Sequence, residues 1–145
     1  MVAADPDGAM PATVVDVVHA RVQRLRPIER AALEQLSVVP SGVELPLARA
    51  LVEDVEVHAE PERLGLLEEQ PGAVAFRHEL ARRAVEGALP AGLPMQHNAR
   101  VLAALLDQPD PDLARVVHHA VAAHGLLPLR TRARRRLVEV GNGDR

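Results

Sequence analysis

The stretch GAVAFRHELARRAVEGALP, residues 72–90, decides how this chain folds, because its apolar period changes partway along it. Ala73 to Phe76 form a short apolar run bounded by a turn signal, which predicts a strand. Beyond Arg77 and His78 the apolar residues Leu80, Ala81, Ala84, Val85 and Ala88 recur at helical spacing until Pro90 stops them. A histidine therefore stands where strand gives way to helix. Just upstream, Leu66 to Glu69 supply a second arm and Pro71-Gly72 the turn, so the segment predicts a β-hairpin leading into a helix. A two-stranded hairpin is not stable alone and must lie on other elements.

The residues before the hairpin supply them. Thr13 and Asp16 have capping-box spacing, and Val14, Val18, Val22 and Leu25 follow on one helical stripe. Pro27 suits the first turn of a second helix, whose inner face is read as Ile28, Ala32 and Leu36 and which ends at Pro40-Ser41-Gly42. Pro46 opens a short third helix carrying Leu47, Ala50 and Leu51, and another short helix is expected from about Pro61. Helices followed by a hairpin predict a mainly α fold: a winged-helix-like domain with a small β-hairpin over residues 11–89, behind a disordered N-terminus at 1–10.

After Pro90 the pattern becomes helical pairs, read as an antiparallel helical hairpin over 90–125. Residues 95 to 107 carry Val101, Leu102, Leu105 and Leu106. Asp110 is the expected cap and Pro111 the first-turn residue of the next helix. That helix is read with Leu113, Val116, Val117, Ala120, Val121 and His124 on one face and Gly125 as its stop. Residues 126–145 form a basic C-terminal tail. In it Leu129, Ala133, Leu137 and Val140 line one side, and Arg134, Arg135 and Arg136 make the one basic candidate for nucleic-acid contact.

Composition narrows the function. The 145 residues are 48% hydrophobic with one Phe and no Tyr or Trp, so the core must be Val, Leu and Ala. A formal charge of −3 provides no global field to attract nucleic acid or an anionic membrane. Absence of cysteine excludes disulfides and thiolate metal sites and fits a cytoplasmic protein. The N-terminus lacks the basic and apolar regions of a secretion signal, and no apolar run approaches the roughly 20 residues of a membrane span.

Catalytic motifs are missing. Ser37 and Ser41 are the only serines, no GxSxG elbow occurs, and a chain without lysine has no GxxxxGK[ST] phosphate loop. His118, His119 and His124 are the densest histidine group, but adjacent side chains on a helix diverge by about 100° and neither remaining pair has i, i+4 spacing. They are read as packing or surface histidines, with no metal site. A winged helix raises the question of DNA. The segment Glu53 to Glu69, where a recognition helix would fall, carries seven acids against the lone Arg63, which argues against direct DNA binding there.

FRHELARRAV (76–85), preceded by LLEEQPGAVA (66–75) and followed by NARVLAALL (98–106) and LARVVHHAVAAHG (113–125), closely resembles the large LuxR-type ATP-binding transcriptional regulators of actinobacteria. Those are MalT-like signal-transduction ATPases of the STAND/AAA class. The resemblance implies a winged helix that follows a nucleotide-binding core and leads into helical repeats. By position it implies that His78 touches the β-phosphate of bound ADP. It also implies ADP or ATP as the cofactor of the complete regulator, though none for this chain alone, and a nucleotide-binding core of a full-length relative as partner. The expected function is a non-catalytic regulatory module. The alternatives are a stand-alone winged-helix DNA-binding protein and an interaction adaptor using helices 95 to 124.

Overall fold

A computed structural model describes residues 12–124, and the chain divides into two compact units, Met1–Leu89 and Pro90–Arg145. The expectations for residues 1–10 and for the tail at 126–145 lie outside the described residues. The described chain is mainly helical with a small three-stranded antiparallel sheet.

In the first unit α1 (Ala12–Gln23) and α2 (Pro27–Ser37) precede β1 (Val43–Glu44) and α3 (Leu45–Leu51). A 3-10 turn (Val55–His58) then runs into α4 (Ala59–Arg63), followed by β2 (Leu67–Gln70), β3 (Ala73–Phe76) and α5 (Glu79–Gly87). The strand order is β1-β3-β2, with Leu67 opposite Phe76, Gln70 opposite Ala73 and Val43 opposite Val74. The two expected arms are thus joined by a third strand. Two residues are too short to display alternation, so β1 was invisible as a pattern; it pairs with β3 and buries Val43. At the hairpin tip, Pro71 presets one turn position and Gly72 takes the φ of 70° that the next one requires. The helix expected from Pro61 begins two residues earlier, with Pro61 still in the first turn, where its missing N–H costs no hydrogen bond.

Leu33, Leu36, Leu47 and Leu66 form the centre of this unit, each nearly sealed from solvent. Several helices are turned differently from the apolar reading. On α2 the inner stripe is Glu29, Ala32, Leu33 and Leu36, and Ile28 is 59% exposed. Glu29 can take an inner place because its carboxylate is satisfied: the Arg26 amide donates to it at 2.8 Å and the Arg26 guanidinium at 3.1 Å. Those bonds hold its pKa below the usual carboxylate range. On α3, Ala48 is buried and Ala50 exposed. On α5, Ala81, Arg82, Ala84 and Val85 face inward, whereas Leu80 is 44% exposed and Ala88 is exposed.

Arg82 explains the phase of α5. Only 7% exposed, it donates to the Ser37 carbonyl at 2.6 Å and to both oxygens of Glu79, with Glu86 at 3.4 Å. A buried guanidinium needs this many partners, and the fork of donors reaches the C-terminus of α2 while its own helix neutralises it.

The second unit consists of α6 (Leu93–Leu106) and α7 (Leu113–Ala122), packed on one another. The cap of α7 is Asp112, not Asp110: its side chain accepts from the amides of Ala114 and Arg115, so the helix starts after Asp112. The inward positions of α7 are Val116 and His119, with Ala123 buried at its C-cap, while Leu113, Val117 and Val121 are 64%, 61% and 65% exposed. Of the expected face Val116 is buried, whereas Leu113, Val117, Val121 and His124 are exposed, and His119 is the reason for the turn. Its Nδ1 donates to Asn98 Oδ1 on α6 at 2.8 Å, and Asn98 Nδ2 donates to the Pro94 carbonyl at 2.7 Å. Because the amide oxygen only accepts, the pairing assigns the proton to Nδ1.

Replacing Arg82 by Ala strands the Ser37 carbonyl and removes a packed stem. Urea unfolding should show a loss of about 2–4 kcal/mol, of which Arg82→Lys recovers only part for want of the planar fork. Burial, then the neighbouring His118 and Arg115, pushes the His119 pKa down from 6.5 to about 4. The unfolded chain then binds more protons between those values. The stabilisation from neutral His119 is complete above about pH 6.5 and is lost as pH falls towards 4, by up to about 3 kcal/mol. Burial shifts His58 and His97 in the same direction. Urea midpoints of wild type and His119→Gln across that window check this: the variant should show the shallower pH dependence.

Candidate functional site

His78 is the hinge residue between β3 and α5. Its backbone is extended (φ −136°, ψ 135°), and its carbonyl accepts from the Ala81 and Arg82 amides, which makes it the N-cap of α5. Its side chain takes no part in the capping and is exposed. Capping by the imidazole is thus not what the residue supplies. The first-turn amides of Glu79 and Leu80 have no intrahelical acceptor, so the ring stands beside the electropositive end of the helix. Glu79, in that first turn, is held by Arg82, which keeps its carboxyl below the ordinary value.

A cleft of about 370 Å³ opens beside this junction, between α1 and the start of α5. Val14, Val17 and Leu80 supply its apolar wall, and Gly65, the Arg21 guanidinium and the His78 imidazole line it as well. Gly65 has φ 75°, and the point where a Cβ would sit on it is 3.7 Å from Arg21 Nη1 and 3.9 Å from Arg77 Nη1. Two guanidinium groups, one from α1 and one from the β3–α5 junction, thus approach the same bare backbone, and His78 lines the cleft that Gly65 and Arg21 also line. Among the described residues neither Arg21 nor Arg77 has a carboxylate within ion-pair distance. Such a constellation can receive an oxyanion.

Sequence reasoning picked out His78 and missed Arg21 and Arg77. Arg77 adjoins His78 in the quoted stretch and could have been found there. Arg21 lies 57 positions from His78 in the chain and is brought near only by the packing of α1 on α5, helped by His19 Nε2 within 3.4 Å of the Ala84 carbonyl. Arg134, Arg135 and Arg136 lie outside the described residues.

A second hollow of about 290 Å³ has the opposite sign, with Glu56, Glu62 and Glu69 around it and Arg49 as its cation. His58 lines it as well, its Nε2 buried without a hydrogen-bond partner. Among the described residues no three His, Cys, Asp or Glu side chains are placed to hold a metal ion, and no helix is long and apolar enough to cross a membrane. His118 and His119 meet edge to face at 4.8 Å, and His124 Nδ1 donates to the Val121 carbonyl at 2.9 Å. No protein family, curated protein or solved structure matches this chain.

Proposed function

We propose that this chain is a non-catalytic regulatory module of a LuxR-type ATP-dependent transcriptional regulator. In it a winged-helix unit reads the nucleotide state through His78, while a nucleotide-binding core elsewhere holds the ADP or ATP. The observation that carries the reading is the exposed His78 ring at the N-cap of α5, unused in capping and sharing a cleft with the Arg21 guanidinium. Further support comes from the order of parts: two helices, a short strand, a helix, a 3-10 turn running into a short helix, and a hairpin, with strand order β1-β3-β2. The likeness of FRHELARRAV to the family's post-wing segment points the same way.

The mechanism is a relay. A diphosphate brought to the β3–α5 junction gives His78 a charge-assisted partner worth roughly 1.5–3 kcal/mol, enough to bias a two-state equilibrium about tenfold or more. Exchange for a nucleotide placed differently removes that bond and frees the unit to move. Direct DNA reading by this unit is less well supported, since Glu56, Glu62 and Glu69 surround the hollow beside α4 and would repel phosphate.

One observation favours a second reading, an interaction adaptor. Leu113, Val117 and Val121 form an exposed apolar stripe on α7, symmetric about Val117. Antiparallel packing of a second copy would set Leu113 against Val121 in both directions, as a two-fold interface requires. Three side chains a side fall short of a standard interface, so such a dimer would be weak.

Three outcomes are expected. Alone, the chain hydrolyses no ATP and shows no ADP binding tighter than millimolar by calorimetry. Joined to the nucleotide-binding core of a LuxR-type regulator, it favours ADP over ATP, and His78→Ala erodes that preference about tenfold. The same substitution leaves the thermal midpoint of the chain within a degree or two of wild type, because the side chain makes no capping bond. Unchanged nucleotide preference in His78→Ala overturns the sensor reading. Light scattering at high concentration tests the adaptor: weak dimerisation lost in Val117→Glu supports it, and a strict monomer refutes it.

A further inference from the structure

The cleft between α1 and α5 has a composition that a nucleotide phosphate alone does not explain. Its wall is aliphatic, and Val17 and Leu80 beside it remain 50% and 44% exposed. Its volume, about 370 Å³, lies within the range of small-molecule sites, which pair apolar walls with a few polar groups that fix orientation. The charge is concentrated at one place. Arg21, which lines the cleft, and Arg77, from the adjoining β3–α5 junction, both approach the point where a Cβ on Gly65 would sit, and among the described residues no carboxylate lies within ion-pair distance of either. Two like charges held near one another with no acid between them repel, and an oxyanion seated against both reverses the sign of that interaction. An aliphatic wall, by contrast, offers nothing to the polar edges of a base or a sugar.

We infer that this cleft binds an amphipathic anion, with an oxyanion head against Arg21 and Arg77 at Gly65 and an aliphatic body along Val17 and Leu80. The inference shares its location with the phosphate-sensing reading but does not rest on it, since no nucleotide core is needed. A guanidinium takes a carboxylate or a phosphate head equally well, in a two-pronged geometry. The apolar body contributes through the area that it and the two half-exposed side chains remove from water.

Calorimetric titration of the full chain tests this with decanoate and decyl phosphate, each below its micelle concentration, and with decanol and inorganic pyrophosphate as the body and the head alone. One-to-one binding of either anionic amphiphile is expected, at least tenfold tighter than decanol or pyrophosphate, and the tighter of the two identifies the head. Arg21→Gln, a change at an exposed position of α1, should weaken it roughly tenfold or more. Val17→Asp, which puts a negative charge in the wall, should abolish it. Circular dichroism melts of both variants should superimpose on wild type, which separates loss of the site from loss of the fold. Equal binding of decanol, an unaltered affinity in Arg21→Gln, or no amphiphile binding up to millimolar concentration overturns the proposal. Tight pyrophosphate binding with no gain from the decyl chain also overturns it, while leaving the role of His78 as a phosphate sensor intact.

Discussion

The first unit depends on one buried guanidinium. Arg82 is the side chain through which α5 is fastened to the end of α2, by way of the Ser37 carbonyl. That carbonyl belongs to the last turn of α2, where no further helical amide follows to satisfy it. One donor thus closes an open helix terminus and sets the rotation of a second helix. The carboxylates of Glu79 and Glu86 on the same helix then make the burial tolerable. With α5 rotated this way, Ala81, Ala84 and Val85 reach the core and His78 is left at the surface. The place of His78 at the surface thus follows from a structural bond made one turn further along the same helix.

The sheet contributes the other constraint. The Arg77 amide donates to the Leu66 carbonyl at 3.0 Å, so the ladder continues one residue past β3 before the chain turns into α5. This brings Arg77 next to Gly65 and fixes where the helix can begin. The positive φ of Gly65 lets the chain turn from α4 into β2 without a side chain in the space that the two guanidinium groups approach. Arg21 arrives from α1 and meets the side of the junction that carries Arg77 and His78.

Much of this architecture was legible in the sequence, and the misreadings share a cause. The hairpin, its Pro-Gly turn and the helices flanking it follow from period and punctuation, and the position of His78 at a strand–helix junction follows with them. The helical phases of α2, α5 and α7 did not. Each of those helices seats a polar residue on its inner stripe: Glu29, Arg82 and His119. Each such residue has a dedicated partner, in Arg26, Ser37 and Asn98 respectively. Ranking positions by hydrophobicity turns such a helix by a fraction of a turn and draws Ile28, Leu80 and Val117 inward, when the structure leaves all three out. Ser37 and Asn98 are distant in sequence from the residues they pair with, so pattern alone could not have found them, whereas Arg26 stands three residues before Glu29. Strand β1 escaped for the different reason that two residues carry no period.

The same comparison separates the polar groups by what they do. Glu29, Arg82 and His119 are buried and bonded, and their chemistry is consumed in holding helices together. His78, Arg21 and Arg77 are exposed and, among the described residues, make neither a capping bond nor an ion pair. Exposure alone would make them ordinary surface residues. What sets them apart is convergence: two guanidinium groups within 4 Å of one point on Gly65, and an imidazole sharing a cleft with one of them. Folding gains nothing from gathering like charges, and at such distances the repulsion is reduced only by solvent and salt. An anionic ligand of the kind inferred above would find the two guanidinium groups gathered and unpaired.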